Sequence, residues 1–593
     1  MFDFPFWYTL VLLILMTVAL VKEIFDPDIA IFSVLLLLIV GRVININEAF
    51  AGFSNSGMLT VGFLFIVARG LQETGVLNRL GDILLGNNLK SASLRMVRFL
   101  FPVSSISAFF NNTPIVAMLI PVIHSWARKS NNSASKFLIP LSYAAILGGT
   151  CTLIGTSTNL VVHGLMIESG IGGMSFFEIS KVGIPLTVIG VLAVSFIGHR
   201  FLPDRREPMV ELGANVREFV IELKVESNYR YLGHSIEEAG LRHLRGLFLF
   251  QIERDDQILA PVGHDEKIYV DDRLFFTGLP KTIIELQKTP GLTVLKDTRF
   301  DFKNYDSDQI RPFEVVISHT SPLIGYNVRA SNFRGRYNAA ILAIHRSGER
   351  IQRKVGDIVL RAGDTLLILA RHSFLRDWYN SNDFYLVSES EQIPSKPHWY
   401  SIFSFCVLGL MILSMALNIL PILASVSIAA VILVLSKCIT PQEARKSVEW
   451  NVLLIIAASF GIAKALENSG VAYFLANHLI LVVGSLGVMG ILAGVYFMTS
   501  LYTEIITNNA AAALLFPIAF SAASQAGLDP RPFLIAVALG GSASFATPLG
   551  YQTNLMVYGP GGYKFKDFLR IGIPMNIFIG CIAITVIYLL NFM

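Results

Sequence analysis

Two clusters of polar side chains lie inside segments that are otherwise apolar. They occupy residues 111–113 (Asn-Asn-Thr), followed by Pro114, and residues 507–509 (Thr-Asn-Asn). An unpaired amide in hydrocarbon costs several kcal/mol, so these side chains need polar partners. A proline beside such a cluster favours the start of a new helix. Each cluster is therefore expected to mark a break at the tip of a helical hairpin, in segments 96–128 and 483–525.

A break of this kind frees backbone groups for ligand binding. The helix that starts at the break presents N–H groups and partial positive charge to an anion. The helix that ends there presents carbonyl groups, which suit a hard cation. The hydroxyl groups of Ser107 and Thr503 lie one turn before the clusters, on the face toward the break. Neither cluster contains Lys, Arg or His, so amides, hydroxyls and helix ends would hold an anion, with co-bound cations offsetting its charge.

The sequence around one cluster returns around the other. The two clusters align with each other, and three further pairs of segments match in the same order along the chain. The pairs are "VARGLQETGV" (67–76) with "IAKALENSGV" (462–471), "TLIGTSTNLVVHG" (152–164) with "TPLGYQTNLMVYG" (547–559), and "GGMSFFEISKVGIP" (172–185) with "GGYKFKDFLRIGIP" (561–574). Ordered matches of this kind indicate an internal repeat. The middle pair supplies Thr, Gly and Asn residues that permit irregular backbone near a bound ion.

The composition places these clusters in a membrane. Of the 593 residues 53% are hydrophobic and 15% are charged, and the mean hydropathy is +0.58. Soluble domains carry about 25% charge. Apart from the hairpins, ten apolar runs are candidate spans, at 6–22, 28–41, 56–72, 134–162, 179–202, 400–417, 419–436, 450–466, 531–558 and 571–592. The first run has no basic segment before it and no evident cleavage site, so it is interpreted as a retained helix.

The distribution of Lys and Arg predicts the orientation. Basic residues crowd the loop at 128–129, the central insert, the loop at 437–446 and the loop at 564–570, whereas the loops 163–177 and 468–482 have none. Cytoplasmic loops carry such an excess. The expected topology has both termini outside and the insert in the cytoplasm, in a plasma membrane of the bacterial inner-membrane type. Five spans in each half make the halves inverted, an architecture typical of secondary transporters.

The charged insert between the halves is itself duplicated. Segment 231–278 can be aligned with segment 323–370, each running from an apolar strand to an Arg, a polar turn and an acidic turn before a last strand. This pattern resembles a pair of TrkA-C domains (the C-terminal domains of RCK units). The predicted division of the chain is 1–202 for membrane repeat 1, 203–300 and 301–396 for the two TrkA-C domains, and 397–593 for membrane repeat 2.

The membrane part resembles the divalent anion:sodium symporter family. Members carry Ser-Asn-Thr at both hairpin tips with a Pro further on, which corresponds here to Pro121 and Pro517, and a "GGTxTLxGTxxNL" loop, nearly intact here at 148–160. The resemblance implies an α-helical polytopic membrane protein with two inverted repeats of five spans plus one re-entrant hairpin each, and the α+β insert between them. The substitutions at positions 111 and 509 exchange a hydroxyl for an amide and leave the substrate open.

The resemblance also implies the ligands, position by position. Co-transported sodium would be held by Ser107, Asn112 and Gly155 in one half and by Thr503, Asn508 and Gly550 in the other. The substrate would be held by Asn111, Asn112, Thr113, Thr507, Asn508 and Asn509 with Thr156 and Thr553 of the loops. Family members with paired TrkA-C domains are mostly associated with sulfate, so a sodium/sulfate symporter is favoured. A dicarboxylate symporter or exchanger and a transport-deficient anion sensor are the alternatives.

The remaining expectations concern partners and charge. A P-loop, a nucleophile elbow and a metal-binding His pair are absent from the sequence, so the protein is not expected to be an enzyme. The expected partners are a small inorganic or organic dianion, the lipid bilayer and a second copy in a homodimer, with no nucleic acid. A regulatory ligand at the TrkA-C domains and a spacer role for them are equally open. Glu504, opposite Ala108 in the repeat, is interpreted as structural rather than as a coupling carboxylate.

Overall fold

The computed structural model describes most of the two apolar parts and much of the insert. The described residues are 3–22, 24–74, 92–130, 132–204, 397–548 and 550–593. In the insert they are 220–386 except for 242–246, 256, 260–261, 264, 279–288, 296–309, 319–320, 347–348, 352, 354, 372, 379–380 and 382. The predicted domain boundaries at 300 and 396, and the end of the first copy of the "VARGLQETGV" segment, lie outside the described residues.

The first apolar part is helical throughout its described core. Its helices are α1 (Phe4–Val21), α2 (Pro27–Val40), α3 (Ile46–Phe50), α4 (Ser56–Glu73), α5 (Ala92–Ser107), α6 (Asn112–Ser130), α7 (Ser135–Gly149), α8 (Ser157–Glu168) and α9 (Ser180–Phe196). Helices satisfy all their backbone hydrogen bonds internally, which hydrocarbon requires. Local signals set the ends: α2 starts at Pro27, and Asn45 caps α3 in a reciprocal pair with Glu48.

The insert contributes the short helices α10 (Phe333–Tyr337) and α11 (Ser373–Trp378), and the second apolar part is again helical. The helices of that part are α12 (His398–Ala416), α13 (Ile422–Leu435), α14 (Pro441–Ser447), α15 (Trp450–Asn468), α16 (Val471–Val483), α17 (Gly487–Thr503), α18 (Asn508–Gln525), α19 (Pro530–Ser542), α20 (Gln552–Tyr558) and α21 (Phe565–Phe592). Thr440 caps α14 in the same way as Asn45 caps α3.

Length and composition make the chain a multi-pass membrane protein. Within the described residues, five helices are long and apolar enough to cross a membrane, and four further apolar helices are shorter. The predicted span 134–162 is wrong as a single helix, because residues 150–156 separate α7 from α8. The predicted span 531–558 is divided in the same way between α19 and α20. Thr and Gly in these loops are only weakly polar and stand beside Ile, Leu and Phe residues that keep the average hydropathy high, so a run of apolar sequence hides the break.

The stretch 468–482 is a second correction to the sequence prediction. It was expected to be a loop, but after a turn at Gly470, which has a φ of 75°, the chain forms helix α16. Val471, Ala472 and Ala476 of this helix are buried and the opposite face is largely exposed. This pattern is that of an apolar helix with one face against the protein, and the absence of charge there reflects the helix rather than an uncharged loop.

Small residues allow the central helices to pack closely. Ala510, Ala511, Ala512 and Ala513 of α18 are each at most 1% exposed. On α19, Gly540 lies so close to α17 that an added Cβ would be 2.8 Å from the carbonyl oxygen of Tyr496. Small side chains of this kind drive close helix packing in membranes. The broken helices are therefore held in the middle of the helical part rather than at its lipid-facing surface.

The insert contains two five-stranded antiparallel sheets with the same topology. The strands are β1 (Val220–Val225), β2 (Leu247–Arg254), β3 (Gln257–Leu259), β4 (Arg273–Gly278), β5 (Leu292–Val294), β6 (Ile310–Ile317), β7 (Ala339–Arg346), β8 (Glu349–Arg350), β9 (Thr365–Arg371) and β10 (Phe384–Leu386). Their orders are β3-β2-β4-β1-β5 and β10-β6-β9-β7-β8, which are the same order read from opposite ends. A register shift occurs at the equivalent place in β2 and β7. The duplication of the insert is thus visible in its strand pairing.

An arginine–aspartate pair recurs in both sheets. Arg254 Nε lies 2.8 Å from Asp272 Oδ1, and Arg346 Nε lies 2.7 Å from Asp364 Oδ1. A second guanidinium nitrogen of each arginine contacts the other carboxylate oxygen, at 2.9 Å and 2.7 Å. The hydrogen bond with the carboxylate raises the pKa of each arginine above its ordinary value. Bidentate pairing of this kind fixes the turn before the last long strand of each sheet.

The second sheet contacts the helix α20 of the membrane part. A Cβ added at Gly559, the residue after α20, would lie 2.3 Å from Thr365 Oγ1 and 3.0 Å from the carbonyl oxygen of Gly363. A Cβ at Gly363 would lie 2.8 Å from a methyl group of Leu555. Val316 of β6 is fully buried within the same apolar cluster as the membrane helices. The second copy of the insert fold is therefore packed directly against the second half.

We predict that Arg346→Ala destabilises the second sheet by about 3 kcal/mol, because it leaves the buried Asp364 carboxylate without its partner. Arg361→Ala provides the matched control, since that side chain is exposed and the charge change is the same. The measurement is the urea dependence of proteolytic cleavage within the insert of the full-length protein in detergent. Equal loss in the two variants would contradict a structural role for the pair.

Candidate functional site

Both predicted hairpin tips are breaks between helices. Helix α5 ends at Ser107 and α6 begins at Asn112, and likewise α17 ends at Thr503 and α18 begins at Asn508. The break has the same length in both halves. Pro114 lies in the first turn of α6, where a missing N–H costs nothing. The polar clusters thus occupy the starts of the two outgoing helices, as their sequence predicts.

A cluster of three oxygen atoms lies behind each tip. Ser107 Oγ is 2.6 Å from Asn112 Oδ1 and 2.9 Å from the carbonyl oxygen of Ala145. In the second half, Thr503 Oγ1 is 3.0 Å from Asn508 Oδ1 and 2.8 Å from the carbonyl oxygen of Gly541. The separations along the chain, 5 and 38 residues, are the same in both halves.

The oxygen clusters have more acceptors than hydrogens. Each contains an amide oxygen, a carbonyl oxygen and a hydroxyl group with a single hydrogen, so the hydroxyl can donate to one neighbour at a time. Ser107, Asn112 and Thr503 are each fully buried. Three converging oxygen atoms in a buried position are the kind of ligands that a hard monovalent or divalent cation takes. The arrangement can therefore hold a cation without any carboxylate.

The partner loops are pinned to the tips by threonine side chains. Thr152 Oγ1 donates to the carbonyl oxygen of Ala108, in the first break. Thr547 Oγ1 donates to the carbonyl oxygen of Glu504, at 3.1 Å, in the second break. These carbonyls belong to the first residue after each helix, where the helix offers them no N–H partner. The loops therefore satisfy backbone groups that the breaks leave free.

Two asparagines that the sequence analysis did not select hold these loops in shape. Asn159 Nδ2 donates to the carbonyl oxygen of Thr152 at 2.9 Å, and Asn554 Nδ2 donates to that of Thr547 at 3.0 Å. Both are fully buried. Each also reaches a second carbonyl ten residues earlier in the chain. Their repetition in the matched loop motifs was the signal that could have identified them.

Gly155 and Gly550 lie where a side chain would collide with the tips. A Cβ at Gly155 would be 2.5 Å from the carbonyl oxygen of Gly149 and 3.0 Å from that of Ala108. A Cβ at Gly550 would be 2.2 Å from Ser544 Oγ and 2.8 Å from the carbonyl oxygen of Thr503. Only glycine permits this approach of two backbone segments. Both predicted sodium-site glycines thus lie against the breaks.

Hydrogen bonds also cross between the two halves. Thr113 Oγ1 donates to Gln552 Oε1 at 2.9 Å, and Ser157 Oγ donates to Asn509 Oδ1 at 3.0 Å. These two bonds occupy equivalent places in the repeat. Each joins the third residue of one tip to the loop of the other half.

Tyr551 adds a further pair of bonds in one half only. Its hydroxyl group accepts a hydrogen bond of 2.6 Å from Asn112 Nδ2 and lies 3.2 Å from Thr156 Oγ1. The predicted residues Asn112 and Thr156 are therefore brought together by a side chain that the sequence analysis did not select.

The first residue of each tip lacks a hydrogen-bond partner among the described residues. Asn111 borders a cavity of about 30 Å³ that is otherwise mostly apolar, and the buried Thr507 Oγ1 has no partner. Thr507 precedes α18 at the capping position, yet its side chain does not cap the helix. The N–H groups at the start of α18 therefore remain available to an anion.

The Thr553 hydroxyl group is bonded to α7 rather than to a tip residue. It accepts a hydrogen bond of 2.8 Å from Ser142 Oγ of α7, and Thr553 is fully buried. Ser142 also lies 2.7 Å from Asn554 Oδ1. The structure thus brings together the tip residues, Thr156 and both glycines, but it places Thr553 against the helix before the first loop.

Glu504 anchors the second loop. Its carboxylate oxygens accept hydrogen bonds of 2.8 Å each from the backbone N–H groups of Ala546 and Thr547. Asn576 Nδ2 of α21 donates a third bond, at 2.7 Å. This geometry supports the structural interpretation of Glu504, since both oxygens are occupied by donors from the protein. Ala108 has no side chain that could do the same in the first half.

Comparison with known families identifies the class of protein. The sequence profile described as citrate transporter matches residues 11–540. The chain belongs to the citrate transporter family. It is therefore a membrane transporter for anions and not an enzyme, as the sequence predicted. The match agrees with the resemblance to divalent anion:sodium symporters that the tip motifs carry.

Relatives of this citrate transporter family member align along nearly the whole chain. A protein of Chlamydomonas reinhardtii named "Putative sulfur deprivation response regulator" is 36% identical, over 96% of this chain and 98% of its own length. An uncharacterized transporter of Synechocystis is 32% identical, over 97% and 95%. The "Probable sodium/sulfate cotransporter 3" of Chlamydomonas reinhardtii is 28% identical, over 94% and 85%.

We predict that Glu504→Gln lowers the free energy of unfolding by about 2 kcal/mol, because an amide N–H₂ would face a backbone N–H donor. The cation dependence of substrate binding by the folded protein should stay unchanged, since both carboxylate oxygens are bound to the loop. Thermal unfolding and cation titration of the purified protein measure the two effects. Glu467→Gln is the control, because Glu467 is exposed on α15 and pairs only with Lys464 there. A shifted cation dependence with unchanged stability would contradict the structural role.

Proposed function

We propose that the protein is a sodium-coupled symporter of a divalent oxyanion, with sulfate as the favoured substrate. The observation that carries this proposal is the pair of equivalent oxygen clusters behind the two tips. Each hairpin with its partner loop would move against the remaining helices in alternating access. The two matched halves, each with a break between helices at its tip, are what an inverted-repeat transporter working by alternating access would have.

Two sodium ions fit the two clusters. One would take the oxygens of Ser107 and Asn112, with Gly155 of the partner loop. The other would take those of Thr503 and Asn508, with Gly550. Two monovalent cations would offset the charge of a dianion at tips that carry no cationic side chain. Because the clusters include residues of the tips themselves, cation binding and anion binding would depend on each other.

The anion would bind between the tips. The unpaired side chains of Asn111 and Thr507 and the first N–H groups of α6 and α18 are the available donors. Thr113, Asn509 and Thr156 would complete the substrate site, and Thr553 would act indirectly through Ser142. The cavity beside Asn111 has room for about one water molecule. Its lining comes from the first tip, α4, the first partner loop with α8, and α12, without a residue of the second tip, so the anion site between the tips would be a separate space that alternating access opens.

The relatives support the choice of sulfate. One relative is named "Probable sodium/sulfate cotransporter 3" and another is named "Putative sulfur deprivation response regulator", and both align with most of this chain. The family description refers instead to citrate, which keeps dicarboxylates and tricarboxylates as the competing substrate class. Sulfate and a dicarboxylate differ in shape, so competition between them is decisive.

The surroundings of the site complete the proposal. The protein would lie in the plasma membrane with both termini outside and the insert in the cytoplasm, and it would form a homodimer. The two sheets of the insert would be TrkA-C domains that bind a small regulatory ligand.

A sensor is the second candidate function. The relative named for a response to sulfur deprivation favours the sensor function, because it is 36% identical to this chain and the alignment covers 98% of that relative. A sensor would bind the anion between the tips and report through the insert, without net transport. Measured uptake separates the two functions.

We predict sodium-dependent uptake of labelled sulfate into proteoliposomes that contain the purified protein. Asn112→Ala and Asn508→Ala should each abolish uptake, because each removes a cation ligand and a substrate neighbour together. Asn468→Ala is the control, since this exposed amide donates to the carbonyl oxygen of Val43 and to Glu48 instead of to a tip residue. Sulfate binding without any uptake would favour the sensor, and uptake of succinate in preference to sulfate would favour the dicarboxylate carrier.

We predict that Ser107→Ala and Thr503→Val each weaken sodium activation of uptake about tenfold or more, because each removes one oxygen ligand from a buried cation site. The Hill coefficient for sodium should fall from about two toward one, since one of two coupled sites is lost. Thr503→Ser keeps the hydroxyl group and should retain near-normal sodium dependence. An unchanged Hill coefficient in both variants would contradict sodium binding at the clusters.

A further inference from the structure

Tyr551 interrupts the equivalence of the two halves. In the matched loops, "GTSTN" of the first half stands opposite "GYQTN" of the second, so Tyr551 takes the place that Thr156 has in its own loop. The tyrosine side chain is longer, and it crosses from the second half to the first tip. It is 9% exposed, so the ring occupies space between the tip and the loop rather than solvent.

The tyrosine hydroxyl group engages one of the two N–H groups of the Asn112 amide in the first tip. Asn112 Oδ1 accepts from Ser107 and Asn112 Nδ2 donates to Tyr551, so both atoms of the amide are engaged. Asn508 in the second tip differs. Its Oδ1 accepts from Thr503, while among the described residues its Nδ2 has no acceptor.

The two tips therefore present unequal donor sets. The second tip offers the Asn508 amide N–H₂, the Thr507 hydroxyl group and the uncapped N–H groups of α18. In the first tip one N–H of Asn112 is donated to Tyr551, and Asn111 borders a mostly apolar cavity that no residue of the second tip lines. The Tyr551 hydroxyl group lies 3.2 Å from Thr156 Oγ1, and either group can be the donor, so the tyrosine hydrogen is available to a bound anion when Thr156 donates.

We propose that Tyr551 determines substrate class by shortening the anion site. The inference rests on the proposed function and deepens it. A compact tetrahedral oxyanion would be held by the second tip and the tyrosine hydroxyl group. An extended dicarboxylate would have to place its second carboxylate at the first tip, and there the Tyr551 side chain, bonded to Asn112 and 9% exposed, occupies the position in front of the amide.

The test compares Tyr551→Thr, which restores the residue of the equivalent loop, with Tyr551→Phe, which keeps the ring and loses the hydroxyl group. Sodium-driven sulfate uptake is measured with sulfate, thiosulfate and succinate as competitors. Wild-type uptake should be inhibited by thiosulfate and not by succinate. In Tyr551→Thr, succinate should compete at a concentration at least about tenfold lower than in wild type, since an amide hydrogen bond to a carboxylate becomes possible.

Tyr551→Phe should still exclude succinate but raise the sulfate KM severalfold, because the ring remains while one donor to the anion is lost. If Tyr551→Thr fails to fold, as size-exclusion chromatography and thermal unfolding would show, Tyr551→Phe still tests the role of Tyr551. Tyr588→Phe is the matched control, since Tyr588 lies on α21 near the end of the chain, outside the two tips and their loops. This control should match wild type in every assay.

The outcomes separate this inference from the proposed function. A folded, active Tyr551→Thr that excludes succinate as wild type does would overturn the role of the ring. An unchanged sulfate KM in Tyr551→Phe would overturn the role of the hydroxyl group. Wild-type protein that succinate inhibits as strongly as sulfate would overturn the inference while leaving sodium-coupled anion transport intact. If wild-type protein is neither stabilised by sulfate or succinate nor able to transport either anion, the proposed function is overturned, and this inference with it.

Discussion

The pairing of backbone groups freed at the helix breaks is the constraint on which the membrane part depends. Hydrocarbon offers no substitute for a lost helical hydrogen bond. The residues of the partner loops therefore supply hydrogen bonds to backbone groups that the breaks at the tips leave free. Thr152 and Thr547 bind the carbonyls of the residues that directly follow α5 and α17. Breaks that stabilise one another can remain irregular, and irregular backbone is what an ion needs for ligands.

Departures from the repeat are concentrated on one side. Glu504 and Asn576 fasten the second loop, while the first loop has no carboxylate at the equivalent position. Tyr551 belongs to that same second loop. A loop tied down by a carboxylate has a fixed backbone, and a fixed backbone is what allows a long side chain to cross to the other half in one orientation. The two departures can thus be understood together, because Glu504 fixes the loop backbone from which Tyr551 extends to the first tip.

The sequence predicted the tips better than it predicted the surroundings of the tips. Asn112 and Asn508 stand out because an amide in an apolar run is costly, and their duplication located both breaks. The loops inside 134–162 and 531–558 were hidden because Ile, Leu and Phe beside the weakly polar Thr and Gly keep the average hydropathy high. Contacts between halves, such as that of Asn112 with Tyr551 across 439 residues, follow from packing that periodicity does not encode. Thr553 and the neighbouring Asn554 both contact Ser142 of α7, a partner that the loop motif does not reveal.

The contact between Gly559 and the second insert sheet has a mechanical consequence. Helix α20 has seven residues and is therefore about 10 Å long. Tyr551 precedes its first residue and Gly559 follows its last. A stiff rod this short transmits displacement from one end to the other with little bending. Any motion of the second loop would then either move the second insert sheet with it or displace Gly559 past Thr365.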